Sequence, residues 1–344
     1  MSMKKTTIED VARKAGVSKG TVSAVINNKS TVKTSTREHV LKIIKETHFR
    51  PKGFARVLKG QNVEKSIGLI VRALDNPFYT AIGMGIKEYA NSKGYVLFIA
   101  SSEGNHDNEE NISRLFSNKD VKGSIIAPVL DGTIEIDHLF NLKAINYPFV
   151  LLEEVPGIQA NVVSTDNASS TREATKYLIS CGHKNIIHFS GPEYSSHTFE
   201  RINGFRSAFS ESSLIYHKNL IVSCGSHFQN GYNTGKSYFS SVKKSERPTA
   251  VICFNDVVAF GLISALNELS IKVPDDISVI GHDDVEFARH WTPSLTTIST
   301  PLERLGQIAA EILINSIESL KAVPIEKEIL KSELILRESC RELK

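Results

Sequence analysis

Between Ile8 and Asn27 the chain reads IEDVARKAGVSKGTVSAVIN, and no other stretch limits the possible folds as strongly. Ile8, Val11, Ala12 and Ala15 recur at helical spacing, Gly16 interrupts the pattern, and Val17, Val22, Val25 and Ile26 supply a second apolar face. The spacing predicts two short helices around a tight turn. Neither buries its stripe alone, so Ser35 to Thr47, with Val40, Leu41 and Ile44 inward, is expected to complete a three-helix core. Thr7 with Asp10 caps the first helix, Ser18 the second, and Ser35 with Glu38 forms a capping box for the third. The steep turn at Gly16 leaves one face of Lys19 to Asn27 uncovered. A short helix opening with Ser18, Lys19, Gly20 and Thr21 suits a DNA major groove, its N-terminal end toward base edges and phosphates. Thr7, Ser23, Ala24 and Asn27 complete the candidate DNA contacts of this head.

Charge separates DNA reading from ordinary helical packing. The formal net charge of the 344 residues is only +3, yet up to Gln61 there are 14 Lys or Arg against 4 Asp or Glu, and the remainder is net acidic. A small basic module on a mildly acidic body implies a local polyanion-binding surface, because clustered cations are rewarded by phosphate neutralisation.

The length suits two or three cores rather than one, and 41% hydrophobic with 23% charged residues is ordinary for globular domains. No uncharged apolar run reaches membrane-spanning length, and the basic N-terminus lacks the apolar segment of a signal peptide. Cys181, Cys224, Cys253 and Cys340 are widely spread without a CxxC. A cytoplasmic protein without structural zinc is expected.

From Phe49 the chain reads FRPKGFARVLKGQ. Pro51 can start a helix, Phe54, Val57 and Leu58 give it a greasy side, and Gly60 stops it. So short a helix needs a partner to persist, and a second copy in a DNA minor groove would supply one. Leu58 is then placed to wedge between base steps, with Arg56 or Lys59 near phosphates. A plain linker is the competing reading.

Beyond residue 66, β-branched runs alternate with helical segments. IGLIV (67–71), YVLFIA (95–100), GSIIA (123–127) and a strand at Phe149 to Leu152 form one set. NIIHFS (185–190), a strand near Leu220 to Cys224, AVICF (250–254) and ISVIG (277–281) form another after a long helix from Thr165 to Cys181. Continuous apolar strands in βα repetition indicate parallel sheets buried on both faces, hence two lobes. The expected class is an all-α helix-turn-helix head with a hinge helix, followed by a two-lobed α/β domain with parallel sheets. The expected divisions are a head at 1–49, hinge and linker at 50–65, and an effector-binding and dimerisation domain at 66–344. Its first lobe takes about 66–163 and 295–325, its second about 164–294 and 326–342, with Ile329 to Leu336 as one last strand of the second lobe.

Ligands of open parallel sheets bind outside the carboxyl ends of the strands. Those ends supply Asp75, Asn76 and Phe78; Ser190 and Gly191; Asn255 and Asp256; and His282, Asp283 and Asp284, with Arg201 opening the helix after NIIHFSG. Asp75, Phe78, Arg201, Asp256, His282 and Asp283 are the candidate effector contacts, since carboxylates, a guanidinium and an aromatic ring hold a polyol or nucleoside. Asp256 as a plain helix cap and Asp75 as part of an Asx-turn are the structural alternatives. No GxSxG, HExxH, Walker lysine or post-strand GxGxxG is present. The scattered histidines lack the convergence of a metal site. No catalytic residues, cofactor or metal are expected.

TIEDVARKAGVSKGTVSAVIN, TREHVLKIIKETHFRPKGFARVLK, IGLIVRALDNPFY, HKNIIHFSG, ERINGF, ICFNDVVAFG and VPDDISVIGHDD, in this order, resemble the lactose-repressor family of bacterial regulators from Thr7 to about Glu338. The resemblance implies a minor-groove hinge helix, a body similar to periplasmic sugar-binding proteins, and a dimer on a near-palindromic operator. Lys19 and Gly20 then hold base-reading positions. Ala24 stands where Arg is usual, offering only an apolar contact such as to a thymine methyl. Leu58 matches the intercalating leucine with Lys59 beside it, and Lys52 stands where Asn is frequent. Asp75, Arg201, Asp256 and Asp283 match ligand-cleft positions, and His282 replaces a frequent Phe or Tyr.

The function implied is transcriptional repression by operator occupancy, modulated by a sugar, sugar derivative or nucleoside. An activator or corepressor-type regulator of the same build, an exported sugar-binding protein, and a sugar- or nucleoside-processing enzyme are the alternatives. The basic head carries the first prediction: DNA binding falls steeply with salt, and an operator titration with a flat salt response contradicts it.

Overall fold

The computed structural model describes residues 7–26, 32–47, 65–118, 121–130, 136–193, 195–319 and 324–343. Asn27, Lys52, Arg56, Leu58 and Lys59, and with them the expected hinge helix, lie outside these residues.

The head has α1 (Ile8–Ala15), α2 (Lys19–Ile26) and α3 (Thr34–Glu46) around Val11, Ala12, Ala15, Val22, Val25, Val40 and Ile43. Thr7 and Asp10 form the expected capping box, and Gly16 closes α1 at φ +65°, a conformation glycine adopts without strain. Ser18 accepts the Thr21 N–H at 3.1 Å, as expected of a cap. The third helix differs from expectation. It starts a residue early, from the Lys33 carbonyl (Arg37 N–H, 2.9 Å), which puts Ser35 inside its first turn rather than at its cap. Its buried stripe is Val40 and Ile43 with Ile44 packed alongside, while Leu41, a helical step of 100° off that line, is exposed.

Two six-stranded sheets form the body. The first runs, across the sheet, β11 (Lys327–Leu330), β5 (Asn161–Thr165), β4 (Phe149–Leu151), β3 (Ser124–Ile126), β1 (Ser66–Val71) and β2 (Val96–Ser101), all parallel. Helices α4 (Pro77–Ser92) and α11 (Leu302–Glu318) cover one face; α5 (His106–Ser117) and α6 (Asp137–Ala144) cover the other. The second sheet runs β12 (Glu333–Ile335), β10 (Thr296–Ser299), β9 (Ser278–Asp283), β8 (Ala250–Cys253), β6 (Ile186–Ser190) and β7 (Ile221–Ser223), with only β12 antiparallel. Helices α7 (Asn167–Ser180) and α8 (Ser196–Ser210) lie on one side of it, α9 (Phe228–Ser241) and α10 (Asp256–Glu268) on the other. β1 and β9 are buried along their whole lengths, as strands covered on both faces must be.

The tail corrects the expected lobe limits. The last strand is two strands: β11 extends the first sheet beside β5, and β12 pairs with β10 in the second. Residues 296–299 accordingly belong to the second lobe and 327–330 to the first. The chain crosses between lobes after β5, after β10 and after β11, and two crossings are tied together where Thr300 and Ser332 share a hydroxyl contact of 3.2 Å. β5 and α6 were not expected. NVVST mixes polar ends with a two-valine centre, and its Asn161 side chain accepts the Glu326 N–H at 2.9 Å to dock β11. α6 is too short to show a period. Among the described residues no helix is long and apolar enough to cross a membrane.

Packing of α4 on α11 is backbone-close: a Cβ on Gly85 would stand 1.9 Å from the Glu303 carbonyl oxygen, and one on Gly306 2.1 Å from that of Ile82. Gly85→Ala is therefore expected to push α11 off the first lobe and destabilise it by about 2 kcal/mol or more in chemical denaturation, against a fraction of that for a surface Gly→Ala.

Candidate functional site

On the head, Thr7, Ser18, Lys19 and Gly20 are exposed and Thr21, Ser23 and Ala24 half-buried, so the described candidates present the first turns of α2 and the cap of α1. Lys19 Nζ is paired with Glu9, itself exposed. Such a surface pair contributes little, and a phosphate or a guanine edge can replace the Glu9 carboxylate.

The second site lies between the lobes, where strand carboxyl ends face each other. A cavity of ≈ 40 Å³ is lined by Arg72, Ala73, Asn76, Phe78 and Tyr79 from the first lobe, and by Pro192, Ser195, His197, Arg201, Ser226, Phe254, Asn255 and Asp283 from the second. It has room for only a few waters, since one water needs about 10–15 Å³ by this measure. Asn76 and Asn255 cap α4 and α10, which fixes the loops after β1 and β8.

Three of the six expected effector residues line this cavity. Phe78 stands edge-on to Tyr79 and His197, with ring centroids 5.0 and 6.4 Å away. Arg201 is 3% exposed, in the interior of α8 rather than at its opening. Its Nε donates to Asn167 Oδ1 at 3.1 Å, Nη1 to the Phe254 carbonyl, and its guanidinium lies 4.6 Å over the Phe254 ring. Nη2 is 3.6 Å from Asp283 Oδ1, beyond hydrogen-bond reach. Asp283 sits at φ +109°, a strained backbone for a residue with a Cβ, and burial pushes its carboxyl up to about 7 against the pull of Arg201.

The other three stand elsewhere. Asp256 lies behind the cavity: its carboxylate accepts the Thr297 hydroxyl at 2.5 Å and the Val285 N–H at 2.9 Å, bracing β10 and the loop after β9. It is not the helix cap either, because Asn255 fills that role. Burial, with Asp283 nearby, holds its carboxyl well above the usual range. His282 is inside β9, and burial followed by Arg201, His197 and His188 pushes its imidazole far below the usual range, so it is neutral. Asp75 is exposed at the cleft mouth, 3.7 Å from His227 of the opposite lobe.

Sequence reasoning missed the buried carboxylate that links the two lobes. Glu153, two residues beyond β4, is 1% exposed. Its Oε1 pairs with Arg72, and its Oε2 accepts both the N–H (3.2 Å) and the hydroxyl of Ser196 from the second lobe, with His197 3.7 Å away. Burial alone would raise this carboxyl, but Arg72, His197 and the Ser196 bonds hold it below the usual range. Arg72 is itself fixed by the Tyr79 hydroxyl at 2.8 Å and the Pro128 carbonyl at 2.9 Å. Burial pushes the His197 imidazole down to about 4, against the effect of Glu153, so it is neutral as well. The strand-end rule that found Asp283 points equally to Glu153 when extended to β4. Among the described residues no group of three or more His, Cys, Asp or Glu is placed to hold a metal ion.

Residues 7–52 match the bacterial regulatory proteins of the lacI family, and residues 175–340 a periplasmic binding protein-like domain. The chain is 35% identical over 341 residues to the HTH-type transcriptional repressor PurR of Photobacterium profundum, covering 98% of this chain and 99% of that one. Against the repressor of the same name from Haemophilus influenzae the identity is 34% over 339 residues, with 98% and 99% covered. Among solved structures, the transcriptional regulator CelR in complex with cellobiose superposes with a TM-score of 0.72 at 26% identity, over 97% of this chain and 99% of that one. A LacI family regulator from Enterococcus faecium with bound ribose gives 0.70 at 27%, over 81% and 100%.

Asp283 supplies a pH signature. Its folded carboxyl keeps a proton up to about 7, whereas the unfolded one releases it near 3.8. Its contribution to stability therefore falls as pH rises through that window. The melting temperature of Asp283→Asn should gain on the wild type from pH 4 to 7 and level off above; parallel curves would refute the buried, proton-holding carboxyl.

Proposed function

Because this chain belongs to the lacI family of bacterial regulatory proteins, as a DNA-binding transcriptional regulator with an effector-binding domain, we propose that it represses its targets as a homodimer on a near-palindromic operator. The effector is a sugar, sugar derivative or nucleoside taken up between the lobes. The observation that carries this reading is the Glu153–Ser196 pair, which bonds one lobe to the other behind the cavity wall of Arg72, Ser195 and His197. The cavity holds only a few waters, so a ligand of sugar size is expected to enter as the lobes, and this pair with them, part. Cleft occupancy and the relative position of the lobes are thereby one equilibrium. A ligand acts by its different affinity for the two arrangements, and ligands that favour closure or opening drive operator binding in opposite directions.

The DNA contacts proposed are Thr7, Ser18, Lys19, Gly20, Thr21, Ser23, Ala24 and Asn27 in the major groove. Lys52, Arg56, Leu58 and Lys59 act at the minor groove, with Leu58 as the wedge. The second copy docks on the outer edge of the first lobe. There Leu74, Met84 and Ile99 are exposed around a groove of ≈ 310 Å³ between α4 and the edge strand β2, an apolar patch whose burial rewards association. Phe78, Arg201 and Asp283 contact the effector, Asp75 guards the mouth, and Asp256 and His282 shape the wall from behind. The relatives solved with cellobiose and ribose make these two sugars the first probes.

Arg201→Ala tests the cleft. Effector affinity measured by calorimetry should fall about 10- to 100-fold, the worth of one or two hydrogen bonds to a charged group. Operator affinity in the absence of effector should stay within about twofold, since no head residue is touched. The variant melts lower because Asn167 and the Phe254 carbonyl lose their partner, so titrations are run below its transition. Unchanged effector affinity would show that the ligand binds elsewhere.

A further inference from the structure

We infer that the cleft selects an uncharged, hydroxyl-bearing ligand and rejects phosphorylated or carboxylated ones, and that Glu153 imposes this choice. The inference rests on the reading of the cleft as the effector site.

Two guanidiniums line the cavity, which at first sight invites an anion. Both already bond to the chain's own groups. Arg72 gives Nε to Tyr79 and Nη1 to Pro128, and pairs with Glu153. Arg201 gives Nε to Asn167 and Nη1 to Phe254, and faces Asp283 with Nη2. The remaining place where an anion would settle is the first turn of α8, beside Arg72. There the Ser196 N–H and hydroxyl already bond to Glu153 Oε2. His197, next to it, is neutral and adds no positive charge. The chain's own carboxylate thus fills the seat a ligand phosphate would take.

Glu153 Oε1 is held by Arg72, so the buried oxygens of the described lining residues left without a hydrogen-bond partner are Asp283 Oδ1 and Ser195 Oγ, both of the second lobe. A ligand hydroxyl, which both donates and accepts, can satisfy either one. A phosphate brings negative charge, and within about 4 Å of the buried Glu153 carboxylate the repulsion at moderate dielectric weakens binding on the order of 100-fold or more. Phe78 and Phe254 supply apolar faces on which a sugar ring or a heterocycle can lie.

Removing the chain's own anion should convert the cleft into an anion site, and this is measurable without knowing the effector. The probes are acetate, inorganic phosphate and ribose 5-phosphate, each titrated at constant ionic strength by calorimetry and by thermal shift. The wild type is expected to show no saturable binding of any of them. Glu153→Ala should melt lower, because Arg72 loses its counter-charge, and acetate should restore its melting temperature saturably. Adding Ser196→Ala to Glu153→Ala should weaken that rescue about tenfold, which loss of fold alone would not produce. If Glu153→Ala does not fold, Glu153→Gln replaces it, with a gain in ribose 5-phosphate affinity of at least about tenfold expected. Saturable phosphate or ribose 5-phosphate binding by the wild type, abolished by Arg201→Ala, would overturn the inference, as would indifference of the folded Glu153 variants to all three anions. If the variants do gain anion binding while neither sugars nor nucleosides bind the wild type, anion exclusion stands and the effector reading falls.

Discussion

A carboxylate buried between two lobes has to be neutralised from both of them. Glu153 meets that condition with Arg72 on its own side and Ser196 across the gap. Dehydrating a charge costs several kcal/mol even after relaxation, and only well-aligned partners offset it. Parting the lobes removes the Ser196 donors, and water must replace them. The closed arrangement is therefore coupled to how well this one group is solvated. On the proposed reading, an effector changes the balance by shifting how closely the lobes approach and so whether Ser196 reaches this carboxylate.

The architecture makes such coupling possible. Parallel sheets direct their carboxyl ends to one side, and each lobe turns that side toward the other. Side chains at the ends of β1, β6, β8 and β9 are brought together although they lie far apart in the chain. Three crossings hold the lobes in register, and the Thr300–Ser332 contact ties two of them. Any movement of one lobe against the other would have to bend at these short connectors, while α4 and α11 are locked through the backbone contacts at Gly85 and Gly306.

Much of this was legible from residue order. The head followed from helical spacing, Gly16 and the Thr7 and Ser18 caps. The two lobes followed from continuous β-branched runs, and Phe78 and Asp283 from the rule that ligands sit at strand ends. The misreadings have physical causes. Leu41 and Ile43 are both apolar, and only the docked α1 and α2 determine which is covered. Asp256 and Asp283 read alike as acids beside strand ends, yet one is locked by Thr297 and Val285 while the other keeps an unpartnered oxygen toward the cavity. Arg201 was placed at a helix start and belongs to the middle of α8, where its length reaches the cleft from below.

By itself the sequence determined what local forces decide: which segments are helices or buried strands, where they begin and stop, and that the positive charge gathers in the first sixty-odd residues, because caps, glycines and apolar periods act over a few positions. Only the tertiary structure decided how residues 327–335 divide between two sheets, which acids face the cavity, and that Glu153 meets Arg72 and Ser196. Those outcomes depend on strand order and on partners separated by as many as 165 residues, and no short-range pattern encodes which distant donor a buried carboxylate will find.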